Sequence, residues 1–211
     1  MSLYLGKIHY WLFNKILWFE NLEDLIINLA KEKGLDVKKV EYEIESKYGK
    51  KLENKNLEEI IDLENIHEWL QNRIHSSEGR MATWIRVILQ SDVKFSSEIE
   101  KLFEENAKEA AKKEKIIKNY LEASEIYTCL NNYILDGMPC DRVNIVKISD
   151  KDSVYWERRI CVHEDIWNNE NLSVEIFYKF RNIWIENFVT ELNPDFQFLE
   201  EKNINYKIVR V

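Results

Sequence analysis

The chain has 211 residues, enough for one large domain or two small ones with a substantial core. A hydrophobic fraction of 45% with 12% aromatic residues excludes a disordered chain. The formal net charge of -8 argues against a nucleic-acid partner, since affinity for phosphate backbones requires clustered positive charge.

Several features of the sequence predict a cytoplasmic protein. Every apolar run is shorter than the roughly 18 residues of a transmembrane helix, so no membrane partner is predicted. The apolar segment 3–18 contains Lys7, Asn14 and Lys15 and no small-residue cleavage site, which argues against a signal peptide. The odd number of cysteines, three, indicates free thiols in a reducing compartment. The abundance of Lys, Asn, Ile and Glu is typical of AT-rich bacterial genomes and predicts a bacterial source.

Long helices are predicted for the first two thirds of the chain, because no proline occurs before Pro139. Apolar residues recur every three or four positions in the first helix, and Gly34 and Gly49 follow the first two helices. Asn56 and Glu59 form the pattern of a capping box at the start of the third helix. The predicted helices span 3–33, 36–48, 56–90 with a bend near 76–79, and 96–135 with a break near 119.

The pattern changes at segment 137–141, which reads GMPCD and is the predicted boundary between two units. After it, β-branched and aromatic residues predict strands, and an amphipathic helix ends before Pro194. The predicted elements are strands 143–148 and 154–162, helix 173–192, and strands 196–199 and 204–211. The predicted fold class is therefore α+β, with a helical bundle over 1–136 and a small antiparallel sheet with one helix, ordered ββαββ, over 137–211 and packed on the bundle.

A nine-residue motif occurs twice in the helical part, with an offset of 58 residues. Residues 8–16 read IHYWLFNKI and residues 66–74 read IHEWLQNRI, and six positions are identical. Segment 126–134, IYTCLNNYI, is a more divergent third copy, and Glu20 and Glu78 share the 58-residue offset. On a helix, the isoleucines, tryptophan and leucine of each copy form one apolar stripe, so the motif first predicts a duplicated packing unit.

The repeated histidines of this motif allow a functional interpretation as well. His9 and His67 lie at the edge of the stripe, where they could face each other across a pseudo-twofold axis and share a ligand. Glu64 precedes His67 by the i, i+3 spacing of a bundle metal pair, but Gly6 occupies the equivalent position in the first copy. No metal site is therefore predicted. The candidate ligand-binding residues are His9, Trp11, His67 and Trp69.

A cysteine–histidine pattern follows in the C-terminal part. Cys161 and His163 lie at the end of a predicted strand, where alternate side chains share a face and an imidazole could activate the thiol. Cys140, after a Met-Pro turn, is a second candidate thiol. A zinc site would require closely spaced cysteine pairs, which the sequence lacks. The candidate catalytic residues are Cys161, His163 and Cys140, and the alternative is two small buried thiols and a hydrogen-bonded histidine.

The CxH pattern at Cys161, together with NPxFxF at 193–198 and a last strand, resembles the C-terminal part of the L-2-amino-thiazoline-4-carboxylic acid hydrolase-like proteins. The resemblance covers about 50 residues of the chain and implies a bacterial hydrolase with Cys161 as a candidate nucleophile. The chain departs from the family pattern because it lacks the further cysteines in the preceding helix and in the last strand, where Trp184 and Tyr206 lie nearby.

Three functions follow from the sequence. The protein is a small-molecule-binding or sensory protein without complete catalytic machinery, a small-molecule hydrolase with a Cys/His pair, or a helical interaction protein that forms a homodimer. No phosphate loop, HExxH, GxSxG or nucleotide fingerprint occurs, so no cofactor is predicted and the first and third functions are favoured. A site is expected where the duplicated motif meets segment 137–141 and the strand that carries Cys161 and His163.

Overall fold

The structure is a computed structural model that describes residues 5–202 and 204–211. Within these residues it contains eight α-helices and four β-strands, so the predicted α+β class is confirmed. The helices are α1 (Lys7–Glu32), α2 (Val37–Tyr48), α3 (Leu57–Ile60), α4 (Ile66–Ser91), α5 (Ser96–Ile117), α6 (Ala123–Leu130), α7 (Glu164–Asn168) and α8 (Val174–Leu192). The strands are β1 (Asn144–Ser149), β2 (Ser153–Arg158), β3 (Phe196–Glu201) and β4 (Asn205–Arg210).

The first two helices begin and end close to their predicted bounds. Helix α1 has Gly6 as its N-cap, and the predicted start at residue 3 lies outside the described residues. The Asp36 side chain caps α2 by accepting a hydrogen bond from the Lys39 backbone N–H at 3.2 Å. Gly49 ends α2 with a φ of 76°, a conformation that glycine adopts without steric cost.

The predicted helix 56–90 is interrupted in the structure. Helix α3 ends at Ile60, and the Asp62 side chain accepts a hydrogen bond from the Glu64 backbone N–H at 2.9 Å. This local bond competes with helical hydrogen bonding, so the chain turns before α4 begins at Ile66. Helix α4 then continues without interruption through 76–79, where the sequence predicts a bend.

Gly79 has a packing role in the middle of α4. A Cβ atom at this position would lie 2.3 Å from Cε1 of Tyr48, so only glycine allows the tyrosine ring to rest on the helix. The Tyr48 hydroxyl donates a hydrogen bond to Oε1 of the buried Glu170 at 2.5 Å, and thereby links α2 to the turn after α7.

The predicted helix 96–135 is divided into α5 and α6, with the predicted break between them. The Ala123 backbone N–H donates to the Lys151 carbonyl oxygen at 2.8 Å, so the start of α6 is attached to the hairpin between β1 and β2. The third copy of the motif leaves the helix after Leu130, four residues before its end.

The four strands form one antiparallel sheet in the order β1-β2-β4-β3. Trp156, Phe198 and Tyr206 contact one another on this sheet, with ring centroids 5.6 to 6.0 Å apart. Helix α7 lies between β2 and α8, so the unit reads ββααββ and has one helix more than predicted. Strand β2 ends at Arg158 and does not extend to the predicted residue 162.

The larger of two apolar clusters joins the bundle to the sheet unit. Helix α8 packs against α5, where the rings of Phe103 and Phe180 stack at 5.2 Å. The Nε1 groups of Trp18 and Trp184 both donate to Oδ1 of the buried Asn106, at 3.0 and 2.8 Å. The core is therefore continuous across residue 137, where the sequence indicates a boundary.

The smaller apolar cluster contains the stripes of the two motif copies. Leu12 and Ile16 of α1 are buried in it with Ile66, Leu70 and Ile74 of α4. Burial of each of these side chains contributes about 1.5–3 kcal/mol of transfer free energy. Among the described residues, no helix has the length and apolar character needed to cross a membrane.

Candidate functional site

A cleft of about 220 Å³ lies where α4 meets segment 137–141 and the residues after β2. The sequence predicts a site at this junction. Helix α4 contributes the end of the second motif copy and the residues just after it, and the opposite wall comes from the C-terminal unit. The residues that line the cleft are Gln71, Ile74, His75, Glu78, Gly137, Asp141, Ile160 and Val162.

Gly137 allows the chain to form the wall of this cleft. Its φ is 70°, and a Cβ atom there would lie 2.7 Å from Oδ2 of Asp141 and 3.3 Å from Val162. Oδ2 of Asp141 accepts a hydrogen bond from the Met138 backbone N–H at 2.8 Å. The Arg159 guanidinium donates to the Asp141 carbonyl oxygen at 2.6 Å, so the turn is fixed against the segment after β2.

Glu78 is the buried polar residue of the cleft and is only 2% exposed. Its Oε1 accepts hydrogen bonds from Nδ1 of His163 at 2.8 Å and from Nε1 of Trp167 at 2.9 Å. Its Oε2 has no hydrogen-bond partner within residues 5–202 and 204–211. One oxygen therefore holds the side chain in place, and the other is available to a molecule in the cleft.

The proton on His163 is stabilised by carboxylates on both sides of the ring. Nε2 of His163 lies 3.5 Å from Oδ1 of Asp136, which is an ion-pair separation without a hydrogen bond. Burial opposes the charged ring, but Glu78 and Asp136 outweigh this effect and raise the pKa of His163 to about 9. His163 is thus an imidazolium at neutral pH and donates its Nδ1 proton to Glu78.

Arg181 completes this buried network from α8. Its Nε and Nη2 donate to Asp136 at 3.1 and 2.6 Å, in the bidentate geometry that favours arginine–carboxylate pairs. Burial would raise the pKa of Asp136, but Arg181 and His163 hold that pKa well below its usual range. The network consists of two ion pairs, Glu78 with His163 and Asp136 with Arg181.

The structure separates the candidate catalytic residues by environment. Cys161 is exposed and its Sγ accepts a hydrogen bond from the Tyr178 hydroxyl at 3.2 Å, whereas His163 is 1% exposed. They do not share the face of a strand, because β2 ends at Arg158 and His163 is the N-cap of α7. Cys140 is exposed in a single 3-10 turn at Pro139–Asp141. No hydrogen bond joins either thiol to His163 in the described part of the chain.

The structure does bring the two motif histidines together. The ring centroids of His9 and His67 are 5.9 Å apart at the start of α1 and α4. Nδ1 of His9 accepts a hydrogen bond from the Gly6 backbone N–H at 3.0 Å, so the neutral ring carries its proton on Nε2. Burial and the neighbouring His67 lower the pKa of His9. The pair lies about two helical turns from His75 along α4 and does not line the cleft.

The two motif tryptophans hold basic side chains. The Lys15 ammonium lies 4.1 Å from the Trp11 ring centroid, and the Arg73 guanidinium lies 5.5 Å from that of Trp69. In each copy the basic residue follows the tryptophan by four positions, so the basic side chain and the indole ring lie on the same face of the helix. Nε1 of Trp11 donates to Oδ1 of Asn132 at 2.9 Å. Within the motif, the tryptophans therefore support packing and a cation–π contact.

Trp167, Asp136 and Arg181 were not predicted from the sequence as partners in the site. Glu78 was singled out only by the offset that it shares with Glu20. Both glutamates prove to be buried, and Glu20 forms an ion pair with the buried Arg80. The sequence signal that could have identified Glu78 is the presence of two charged residues, Glu78 and Arg80, in an otherwise uncharged segment of α4. The structure shows that every residue of this segment, 76–85, is buried.

No group of three or more His, Cys, Asp and Glu side chains is arranged to hold a metal ion in residues 5–202 and 204–211. No family model, curated protein or solved structure matches the chain.

Proposed function

We propose that the protein binds a small molecule in the cleft between α4 and segment 137–141. The observation that carries the proposal is Glu78, a carboxylate that is 2% exposed, lines the cleft and keeps Oε2 without a partner in the described structure. Oε2 keeps access to solvent, so a molecule in the cleft can replace the water that solvates it. Such a group in a concave site is typical of ligand recognition.

The surroundings of Glu78 support a binding role. His163 and Trp167 both bind Oε1, so the orientation of the carboxylate is fixed before any ligand arrives. A preorganised acceptor loses little conformational entropy on binding. The Gly137 turn, which Arg159 fixes from the other side, makes the opposite wall equally defined.

The thiol hydrolase suggested by the family resemblance receives less support. A general base must be neutral to accept the thiol proton, whereas the carboxylates of Glu78 and Asp136 keep His163 protonated at neutral pH. The partner of Cys161 is the Tyr178 hydroxyl, which donates to the sulfur and does not remove its proton. A hydrolase would therefore require a different arrangement of the segment from Cys161 to His163.

Filling the cleft tests the binding proposal. Ile160 is 37% exposed and lines the cleft, so Ile160→Trp should block it from the rim without disturbing the core. Ile204 is 39% exposed and outside the cleft, so Ile204→Trp is a matched control. A ligand-observed NMR screen of small polar fragments should give hits with the wild type and Ile204→Trp that are lost with Ile160→Trp. A screen without such hits would overturn the proposal.

A homodimer is a separate proposal that concerns the edge of the sheet. Strand β1 lies at that edge and exposes Ile145, Val146 and Ile148. An apolar edge strand is a surface on which a second chain can pair. Light scattering should then give twice the monomer mass of 25.5 kDa, and a monomer at all concentrations would exclude the dimer.

A further inference from the structure

We propose that the cleft recognises the ammonium group of a small primary amine with an apolar body. This inference rests on the proposed function, because it names the ligand class of the same cleft. Its three supports are the hydrogen-bond acceptors of the lining residues, their charge and the apolar remainder of the walls.

The lining side chains offer acceptors that the described structure leaves unused. Glu78 uses only Oε1, Asp141 uses only Oδ2, and Gln71 makes one contact, from Nε2 to His75 at 3.4 Å. Oε2 of Glu78, Oδ1 of Asp141 and Oε1 of Gln71 have no hydrogen-bond partner within residues 5–202 and 204–211. A primary ammonium carries three N–H donors and no acceptor, so it matches a set of three acceptors.

The charge of the cleft also favours a cation. The charges of Glu78 and His163 compensate each other, but Asp141 forms no ion pair in the described part of the chain. Arg159 binds the carbonyl oxygens of Asp141 and Arg142 from an exposed position, where solvent screens its charge. A carboxylate ligand would place a third negative group beside Glu78 and Asp141, so it is disfavoured.

The remaining walls are apolar and limit the size of the ligand. Ile74, Ile160 and Val162 line the cleft between the polar groups. Its volume of about 220 Å³ is below the roughly 300–1,000 Å³ of sites for drug-sized ligands. A short alkyl or single-ring body therefore fits, and burial of its apolar surface adds to the affinity.

The test compares primary amines with matched neutral and acidic molecules. A panel of small alkyl- and arylamines, with the corresponding alcohols and carboxylic acids, is titrated against the full chain at pH 7 by NMR. Cyclohexylamine, cyclohexanol and cyclohexanecarboxylate form one such set. We expect binding from amines alone. Glu78→Gln should weaken it by about tenfold or more, since it removes a charge-assisted hydrogen bond but keeps the side-chain shape.

Glu170→Gln is the matched control for this substitution. Glu170 is also 2% exposed, but it lies outside the cleft and binds Lys47, Tyr48 and Arg86. The Glu170→Gln substitution should change the stability of the protein and leave its affinity for amines unchanged. Asp141→Asn provides a second measurement if Glu78→Gln fails to fold, and it should weaken the amine several-fold. Asn can still accept the Met138 N–H through its carbonyl oxygen.

The outcomes separate the ligand class from the proposed function. If alcohols or carboxylic acids bind as tightly as amines and Ile160→Trp blocks them, the amine inference is overturned and the binding function stands. If the amines bind but neither Glu78→Gln nor Asp141→Asn weakens them, the inference is also overturned. If no amine and no fragment binds, both proposals fail.

Discussion

Oε1 of Glu78 and Nδ1 of His163 lie 2.8 Å apart in the interior, although 85 residues separate them in the chain. This contact joins the central helix of the bundle to the start of α7. Trp167, one turn further along α7, donates to the same oxygen at 2.9 Å. The Glu78–His163 pair therefore attaches the C-terminal unit to α4, and its glutamate lines the cleft.

The protonation of His163 should make stability depend on pH. Its pKa in the folded protein, about 9, exceeds the value of 6.5 in the unfolded chain, so the native state binds the proton more tightly. The stabilisation is fully present below about pH 6.5 and is lost as the pH rises through 9. It amounts to about 3 kcal/mol.

Chemical denaturation of the wild type and His163→Gln from pH 6 to pH 10 measures this effect. The difference in their free energies of unfolding should shrink through this window. The comparison with His163→Gln is needed because Lys15 titrates in the same pH window, and its titration raises the free energy of unfolding as the pH rises. A difference that stays constant would show that His163 is neutral in the folded protein.

Lys15→Met should stabilise the protein at pH 7. Lys15 is buried and forms no ion pair within the described residues, and burial lowers its pKa to about 8 from 10.5. The cost of keeping it charged is therefore present below pH 8 and disappears as the pH rises to 10.5. Methionine keeps the length of the side chain without the charge, and we expect a gain of about 1–3 kcal/mol.

Thermal or chemical denaturation at pH 7 and pH 10 tests this prediction. The gain should be smaller at pH 10, where Lys15 is already neutral. Arg73→Met is the control from the second motif copy, since arginine does not titrate in this range and any effect should be independent of pH. A loss of stability with Lys15→Met at pH 7 would show that the cation–π contact with Trp11 outweighs the burial of charge.

Gly79→Ala should destabilise the fold by about 1–3 kcal/mol through overpacking. The added Cβ would meet the Tyr48 ring at 2.3 Å, so the ring must move away from α4. In a Tyr48→Ala background the clash is absent, and the same substitution should have little effect. A double-mutant cycle by urea denaturation measures the coupling, and additive effects would contradict the proposed contact.

The reactivity of the three thiols should follow their burial, and none of them should react as an activated nucleophile. Cys140 and Cys161 are exposed, and Cys129 is buried, with a pKa that burial raises to about 12. Iodoacetamide at pH 7 should modify Cys140 and Cys161 no faster than free cysteine and leave Cys129 unmodified. Much faster labelling of Cys161, located by mass spectrometry, would revive the hydrolase hypothesis.

Local sequence patterns determined the fold class and most of the helices. Helix α2 begins after Asp36 and ends at Gly49, close to the predicted span 36–48, because capping depends on neighbouring residues. The interruption before Ile66 was not predicted, since the Asp62 turn competes with a helical pattern that continues on both sides of it. The long strand expected to end at 162 was shortened because the segment after Arg158 leaves the sheet and leads into α7.

The sequence by itself therefore determined most of the helices and strands but not α7, and it indicated the junction at segment 137–141. Only the tertiary structure decided that His163 pairs with Glu78 and not with Cys161. The spacing of two residues between Cys161 and His163 says where they lie in the chain, but not which side chain faces the interior. That choice depends on burial: an imidazolium can be enclosed because Glu78 and Asp136 flank it, and those carboxylates come from parts of the chain that only folding brings together.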